Sequence, residues 1–348
     1  MLLTLSAAVP LAAQTSLSPV ATRDQKVIRR WSLPGDPHGI ALGADGTLYV
    51  GLAKPQAVAA IDPANGTVKQ ELVLDSAEIA ATKELVTMRT NREGTRLYIA
   101  NGSDESVTIL SLPAMKILRE ITIEGEAIRD ALPDPGGRYL FLLGRRVHVY
   151  DGEGRAELRT IDFDDPMAIA VSGNGTMLAV IGPQDFGNAK ATVVALYDTT
   201  KFDEIARDPL QTDKKIEAAL FAADDRVLMA LSRDTLYEKP LTHREKRMAE
   251  GGDGRMRMSI DFGDLVNSER ICLPEKSGAQ IAALAAPQLL LFAERRCSSG
   301  GAFSGSARLV TPASLYGVDA YAIAYDRAHN LLYTTERDGY LTIYKVPR

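Results

Sequence analysis

The sequence is poor in the residues that usually build catalytic or cofactor-binding motifs. It has 2 cysteines in 348 residues and contains no C-x-x-C-H segment and no paired Cys/His spacing. This excludes covalent haem and gives no indication of structural zinc. G-x-S-x-G and H-E-x-x-H are also absent, and no phosphate-binding lysine follows the glycines of segment 298–306. The sequence therefore argues against serine hydrolase, zinc protease and nucleotide-binding functions.

An excess of basic residues is also lacking. The chain has 40 Lys and Arg against 45 Asp and Glu, which gives a formal net charge of −5. No stripe of basic residues is interleaved with aromatic ones, so the sequence disfavours a nucleic-acid partner and any general attraction to anionic membranes. Aromatic content is low, at 6%, which suits small, flat sheets packed face to face.

The N-terminus contains a candidate targeting segment. Residues 1–13 are uncharged and are typical of the apolar core of an export signal, with a possible cleavage point at Ala12-Ala13-Gln14. No basic residue precedes this run, so an ordinary disordered N-terminus is the alternative. The run is too short to span a bilayer. We predict an export signal and linker over residues 1–25, a periplasmic or extracellular location, and no membrane span.

The sequence does contain a repeated pattern: two apolar β segments joined by a tight turn, followed by two further strands. The turns include Asp45-Gly46, Glu93-Gly94 and Asn174-Gly175, whose residues tolerate positive φ. Such a unit cannot bury both its faces alone, and a repeat of roughly forty to fifty residues indicates radially packed sheets, that is, a β-propeller. Aligned on their first strands, seven copies have the equivalent positions His38, Val86, Arg129, Met167, Glu217, Gln280 and Tyr321.

The two ends of the chain are expected to complete one blade together. The last copy supplies only three strands before the sequence ends, whereas residues 26–33 form a lone strand before the first copy. We predict that residues 26–33 pair with the strand near Leu341–Val346, which closes the ring and removes exposed sheet edges. The expected fold is all-β, a single seven-bladed β-propeller over residues 26–348.

The turn-and-strand pattern x-x-G-x-x-L/Y-V/I, together with the segment Leu97-Tyr98-Ile99-Ala100-Asn101, resembles the YVTN-repeat and lactonase-like seven-bladed propellers. The resemblance covers the chain from about residue 25 onward. It implies the propeller fold, and the wider superfamily includes sugar lactonases, a streptogramin lyase, amine-dehydrogenase subunits and bacterial surface or periplasmic binding proteins. No residue set in this sequence selects one of those activities.

Propeller ligands usually bind around the axis, where the first strands begin. The repeat register predicts that one His, one Arg, two carboxylates and one Tyr lie at this rim: His38, Arg129, Asp130, Glu217 and Tyr321. The arginine can pair with a carboxylate or phosphate, and the histidine can exchange protons near neutral pH. These are the candidate ligand-binding residues for a small molecule or a protein. The alternative is a solvated rim without a common ligand.

The same rim leaves two functions and one cofactor open. Asp130, Glu217 and a histidine offer few donors for Ca²⁺ or Mg²⁺, which take about six or more oxygen ligands, so no cofactor is expected and a divalent cation is the alternative. An exported binding module is favoured because the rim also contains Val86 and Met167. The second hypothesis is a lactonase- or lyase-like enzyme that uses His38 and the carboxylates as acid and base.

The longest insertion, residues 233–254, alternates in charge and ends in a glycine-rich segment. The register places it between the second and third strands of the fifth blade, hence on the funnel face. There it would act as a lid or a partner-docking arm, the alternative being a mobile surface loop. The candidate partner-contacting residues are Lys239, Arg244, Lys246 and Arg247.

The two cysteines, Cys272 and Cys297, fall on strands that are predicted to run toward the same face. A disulfide between them is possible in an oxidising compartment, and two buried free thiols are the alternative. The sequence leaves this choice open.

Overall fold

The computed structural model of the chain describes residues 16–22, 26–53, 56–75, 86–101, 105–185, 190–210, 212–222, 225–232, 235–241, 245–250, 256–261, 267–270, 289–294, 314–336 and 338–346. Within these ranges every helix or strand element is a β-strand, as the sequence predicts. The strands form six sheets of four or five strands and two sheets of two strands.

Two short strands precede the repeats, namely β1 (Ser18–Pro19) and β2 (Val27–Ser32). The sheets that follow are called blades. The first blade contains β3 (Pro37–Leu42), β4 (Leu48–Ala53), β5 (Gln56–Asp62) and β6 (Thr67–Asp75). The second contains β7 (Val86–Thr90), β8 (Arg96–Asn101), β9 (Ser106–Ser111) and β10 (Lys116–Thr122). The third contains β11 (Asp130–Pro133), β12 (Tyr139–Leu143), β13 (Val147–Asp151) and β14 (Glu157–Ile161).

The second half of the chain is less regular. The fourth blade contains β15 (Ala168–Val171), β16 (Met177–Asp185), β17 (Lys190–Asp198) and β18 (Glu204–Pro209). The fifth contains β19 (Ile216–Ala222), β20 (Val227–Ser232), β21 (Thr235–Pro240) and, after a hairpin of β22 (Glu245–Glu250) and β23 (Met256–Asp261), β24 (Asn267–Arg270). Next comes a pair, β25 (Leu289–Glu294) and β26 (Ser314–Asp319). The last blade contains β27 (Ala322–Asp326), β28 (Leu331–Glu336) and β29 (Tyr340–Lys345).

The blades are arranged around an axis that their first strands line. The strand β3 contacts both β27 and β7, and the contacts continue from β7 to β11, from β11 to β15 and from β15 to β19. Apolar side chains on the faces of each sheet pack against the next blade. For example, Phe141 of the third blade shares a buried cluster with Val180 of the fourth. The end of the blades at which the first strands begin is called the funnel end, and the other end is called the turn end.

The predicted turns between first and second strands are present. Gly46, Gly94 and Gly175 have φ values of 79°, 63° and 72°. A side chain is strained in this left-handed region, which is why glycine recurs at the same place in the repeat. The turns therefore fix the register that brings the start of each first strand to the funnel end.

The ends of the chain meet in the last blade. The strand β2 pairs with β29, with Val27 opposite Tyr344 and Trp31 opposite Leu341, which is the pairing expected from the sequence. A fifth strand, β1, lies outside β2 in the same sheet. This strand comes from residues 16–22, which the sequence prediction assigned to the linker.

The predicted position of the long insertion was wrong. Residues 235–240 form the third strand of the fifth blade, and the inserted hairpin follows this strand instead of preceding it. The N–H of Leu241 donates to the carbonyl of Arg226, in the turn before β20. The hairpin therefore leaves the blade at the turn end, opposite the predicted rim, and β23 runs beside β18 of the fourth blade.

The described part of the sixth copy differs from the blade that the sequence predicts. The sequence predicts an antiparallel blade, whereas β25 pairs with β26 in parallel. The predicted first strand of this copy, near residues 281–284, and both Cys272 and Cys297 lie outside the described residues. Within the described part of the chain, no helix is long and apolar enough to cross a membrane.

Candidate functional site

His38 and Tyr321 meet at the funnel end where the last blade contacts the first. Their rings stack with centroids 4.9 Å apart and an angle of 16° between the planes. Thr335 holds both residues, since its carbonyl accepts from the Tyr321 N–H at 2.6 Å and its hydroxyl donates to the His38 carbonyl. Asp36 Oδ2 lies 3.6 Å from His38 Nε2. The His38 side chain is only 7% exposed, so its imidazole lies in a packed position.

Arg129 precedes β11 and uses its guanidinium within the structure. Its Nη2 donates to the Gly144 carbonyl at 2.6 Å and also to the Pro166 carbonyl. These acceptors belong to the third blade and to the connection into the fourth. Arg129 therefore ties two neighbouring blades together at the rim, whereas the sequence suggested that it would pair with a ligand anion.

Asp130 also has a partner within the structure, and it is a residue that sequence reasoning missed. Arg89 of the second blade donates Nε to Asp130 Oδ1 at 2.9 Å and Nη2 to Asp130 Oδ2 at 2.8 Å. Partial burial disfavours the charged guanidinium, but Asp130 outweighs that effect and keeps the pKa of Arg89 above its usual value. The Arg89 side chain is still 39% exposed. It is a cation on the first strand of the second blade that water can reach.

Glu217 lies at an irregularity in β19. The pairing with β20 shifts between Ile216 and Ala218, so Glu217 is the extra residue of a β-bulge. Bulges of this kind re-aim a side chain and are frequent beside binding sites. Glu217 is partly exposed, and its carboxylate makes no hydrogen bond or ion pair with the described part of the chain.

The predicted partner-contacting residues do not form one exposed arm. Lys239 lies in β21 and is 1% exposed, with its ammonium paired to Asp208 of β18. It links the fourth and fifth blades, so its assignment to a docking loop was wrong. Lys246 and Arg247 belong to β22 at the turn end, and Arg244 lies outside the described residues.

A second buried histidine, His148, lies in the third blade between two glutamates. The His148 ring places Nδ1 2.9 Å from Glu157 Oε1 and Nε2 3.2 Å from Glu126 Oε2. Burial raises the pKa of Glu157, but hydrogen bonds from Thr160 and His148 outweigh it and leave the pKa below its usual value. Across the described ranges, no three His, Cys, Asp or Glu side chains are arranged to hold a metal ion.

Most of the candidate rim residues thus form hydrogen bonds with a neighbouring blade or connection, and one carboxylate does not. His38, Arg129 and Asp130 each have partners on a neighbouring blade or connection. Glu217 has none among the described residues. A buried, stacked imidazole is poorly placed to move protons to a substrate, because a general base must come within hydrogen-bond reach of it. The arrangement is suited to recognising charge.

Comparison with solved structures agrees with the radial arrangement of sheets. A chain of the structure titled "Crystal Structure of Mitotic Checkpoint Complex" is similar with a TM-score of 0.62 and 15% identity, over 100% of both chains. A chain of "Kuenenia stuttgartiensis Hydrazine Synthase" is similar with a TM-score of 0.63 and 14% identity, over 93% of this chain and 99% of that chain. The chain has the β-propeller fold, and at these identities the likeness concerns fold alone. No protein-family model and no curated protein matches the sequence.

Proposed function

We propose that the chain is an exported seven-bladed β-propeller that acts as a binding module, with its ligand or partner at the funnel end. The observation that carries this proposal is the carboxylate of Glu217, which has no partner in the described part of the chain. The other charged residues predicted for the rim are hydrogen-bonded to neighbouring blades or connections. An unpaired carboxylate favours a ligand that brings a positively charged group. The buried His38 favours binding over turnover.

Two observations support the finer architecture of this proposal. The pair β25 and β26 lies in the chain between the fifth blade and the last, and β25 contacts β27, as a further blade at that place requires. The pairing of β2 with β29 supports a ring closed by the N-terminal strand. Cleavage after Ala13 would leave β1 intact, which is compatible with export.

The binding test uses thermal unfolding with defined probes: spermidine and arginine methyl ester as cations, citrate as an anion and glucose as a neutral compound. We expect a cation to raise the melting temperature of the wild-type chain and to lose this effect in Glu217→Gln. The matched control is Glu71→Gln, which removes an exposed carboxylate from an outer strand. Equal behaviour of the two variants would remove Glu217 from the site.

The enzyme alternative has its own assay. Saturable hydrolysis of a sugar lactone that disappears in His38→Ala or Glu217→Gln would replace the binding module by a lactonase-like enzyme. Export is tested separately by mass spectrometry of the N-terminus of periplasmic protein. The expected first residue is Gln14, and a retained Met1 contradicts the export signal.

A further inference from the structure

A short N-terminal segment, residues 16–20, bridges the last blade and the first. Its strand β1 lies along the outer edge of β2. The N–H of Val20 donates to the Arg30 carbonyl at 2.8 Å, and the N–H of Leu17 donates to the Gly66 carbonyl at 2.8 Å. Arg30 belongs to the last blade, whereas Gly66 lies in a turn of the first. The segment therefore crosses the seam, which we define as the contact between these two blades.

Leu17 is the anchor of this segment. Its side chain is 8% exposed and belongs to the same buried cluster as Trp31. In contrast, Ser16, Ser18 and Pro19 are exposed. The segment is thus held by backbone hydrogen bonds and one aliphatic side chain, which is the recognition mode of β-strand addition to a sheet edge.

The surface that receives this segment is formed by other parts of the chain. On its other edge, β2 pairs with β29. Trp31 donates its Nε1–H to the Pro63 carbonyl at 3.3 Å, and a Cβ added to Gly66 would lie 2.8 Å from the Trp31 ring. The slot beside the indole is therefore shaped by β2 and by a turn of the first blade. None of these contacts involves residues 16–20.

We propose that the seam is a peptide-acceptor site, and that residues 16–20 occupy it in the free chain. The ligand class is an extended segment with one buried aliphatic side chain and an exposed proline two residues later. Proline suits the outermost strand, where its missing N–H has no ladder partner to satisfy. A segment of this pattern from another chain binds by displacing residues 16–20. The site lies on the outer strand β2 and does not depend on the function proposed for the first strands.

The probe is a fluorescein-labelled peptide with the sequence of residues 16–22, and its control carries Leu17→Asp. Two chains receive it: a variant lacking residues 1–22, and a full-length Leu17→Asp variant that keeps the chain intact but empties the slot. Fluorescence anisotropy should show saturable binding to both. The control peptide and the wild-type chain, whose site is occupied, should bind roughly tenfold or more weakly, because burying a leucine side chain supplies the anchor.

Several outcomes overturn the proposal. Equal affinity for the peptide and its control would show that no aliphatic slot exists. Equal binding to wild-type and Leu17→Asp chains would place the peptide elsewhere. If the shortened variant fails to fold, the full-length Leu17→Asp chain decides the matter alone. A concentration-dependent wild-type dimer that is lost in Leu17→Asp would mean that a second copy supplies the segment, which contradicts occupancy by the same chain.

Discussion

Removing the single tryptophan should test how strongly the seam stabilises the fold. Trp31 is 9% exposed and shares a buried cluster with Leu48 and Val50 of the first blade and with Tyr333 and Leu341 of the last. Both blades therefore lose packing when the indole is removed. In Trp31→Ala the neighbouring backbone cannot collapse fully into the space, because it is fixed by two sheets.

The size of the effect follows from this burial. Truncating a buried tryptophan to alanine costs about 3–5 kcal/mol of the free energy of unfolding. At about 2 °C per kcal/mol for a large domain, the melting temperature should fall by about 6–10 °C. Ile28 lies on the same strand but is 48% exposed. Ile28→Ala should change the stability by only about 0.5 kcal/mol, which makes it a matched control.

Far-UV circular dichroism during urea unfolding is the appropriate assay, because the variant has lost its only tryptophan fluorophore. Trp31→Phe should fall between the wild type and Trp31→Ala, since it keeps an aromatic ring and loses the hydrogen bond to Pro63. If Trp31→Ala and Ile28→Ala unfold within about 1 kcal/mol of each other, the seam does not stabilise the ring as argued.

Three further predictions follow from the ion pairs. Lys239→Met should lower the free energy of unfolding by about 3–5 kcal/mol in urea titrations, because it leaves Asp208 without its partner, and Asp208→Leu in the same chain should restore most of the loss. A double-mutant cycle of Arg89→Met and Asp130→Asn should give a coupling of about 1–2 kcal/mol, limited by solvent access. Glu157 has a lowered pKa in the fold, so the stability that it contributes near neutral pH is lost as the pH falls through that folded value. Glu157→Gln should therefore flatten the stability curve below about pH 5, and a curve as steep as that of the wild type contradicts this.

The fold was predictable where local chemistry repeats. Asp45-Gly46 and Asn174-Gly175 demand left-handed turns, and apolar strands flank them, so turn and strand signals agree. The prediction for the fifth blade failed because Glu238 and Lys239 are charged residues in a buried strand. Their charges led the sequence reasoning to place them in a loop. The compensating Asp208 lies in another blade, and no local sequence pattern indicates such a partner.

Among the candidate residues, the repeat register predicts which ones lie near each other better than it predicts their hydrogen-bond partners. Repeat register brought His38 and Tyr321 together although they are far apart in the sequence. It could not reveal that the guanidinium of Arg129 would donate its hydrogen bonds to backbone carbonyls. Arg89 could have been found, because it is the one cation within an otherwise uncharged first strand, Val86–Thr90. An isolated charge facing a packed ring needs a partner, and the neighbouring first strand begins with Asp130.

The seam also indicates the order in which the fold is completed. Arg30 pairs with Glu336 and stacks over the Tyr340 ring at 3.9 Å, and this ion pair joins residues 306 positions apart. Contacts so distant in sequence form late, because the entropy of closing the chain must be offset before they add stability. The N-terminal strand thus docks on a blade whose other strands lie far along the sequence. Under the proposed export, the segment that docks last lies directly behind the leader. The pairing of β2 with β29 therefore forms late in folding, and an edge that would invite association is covered only then.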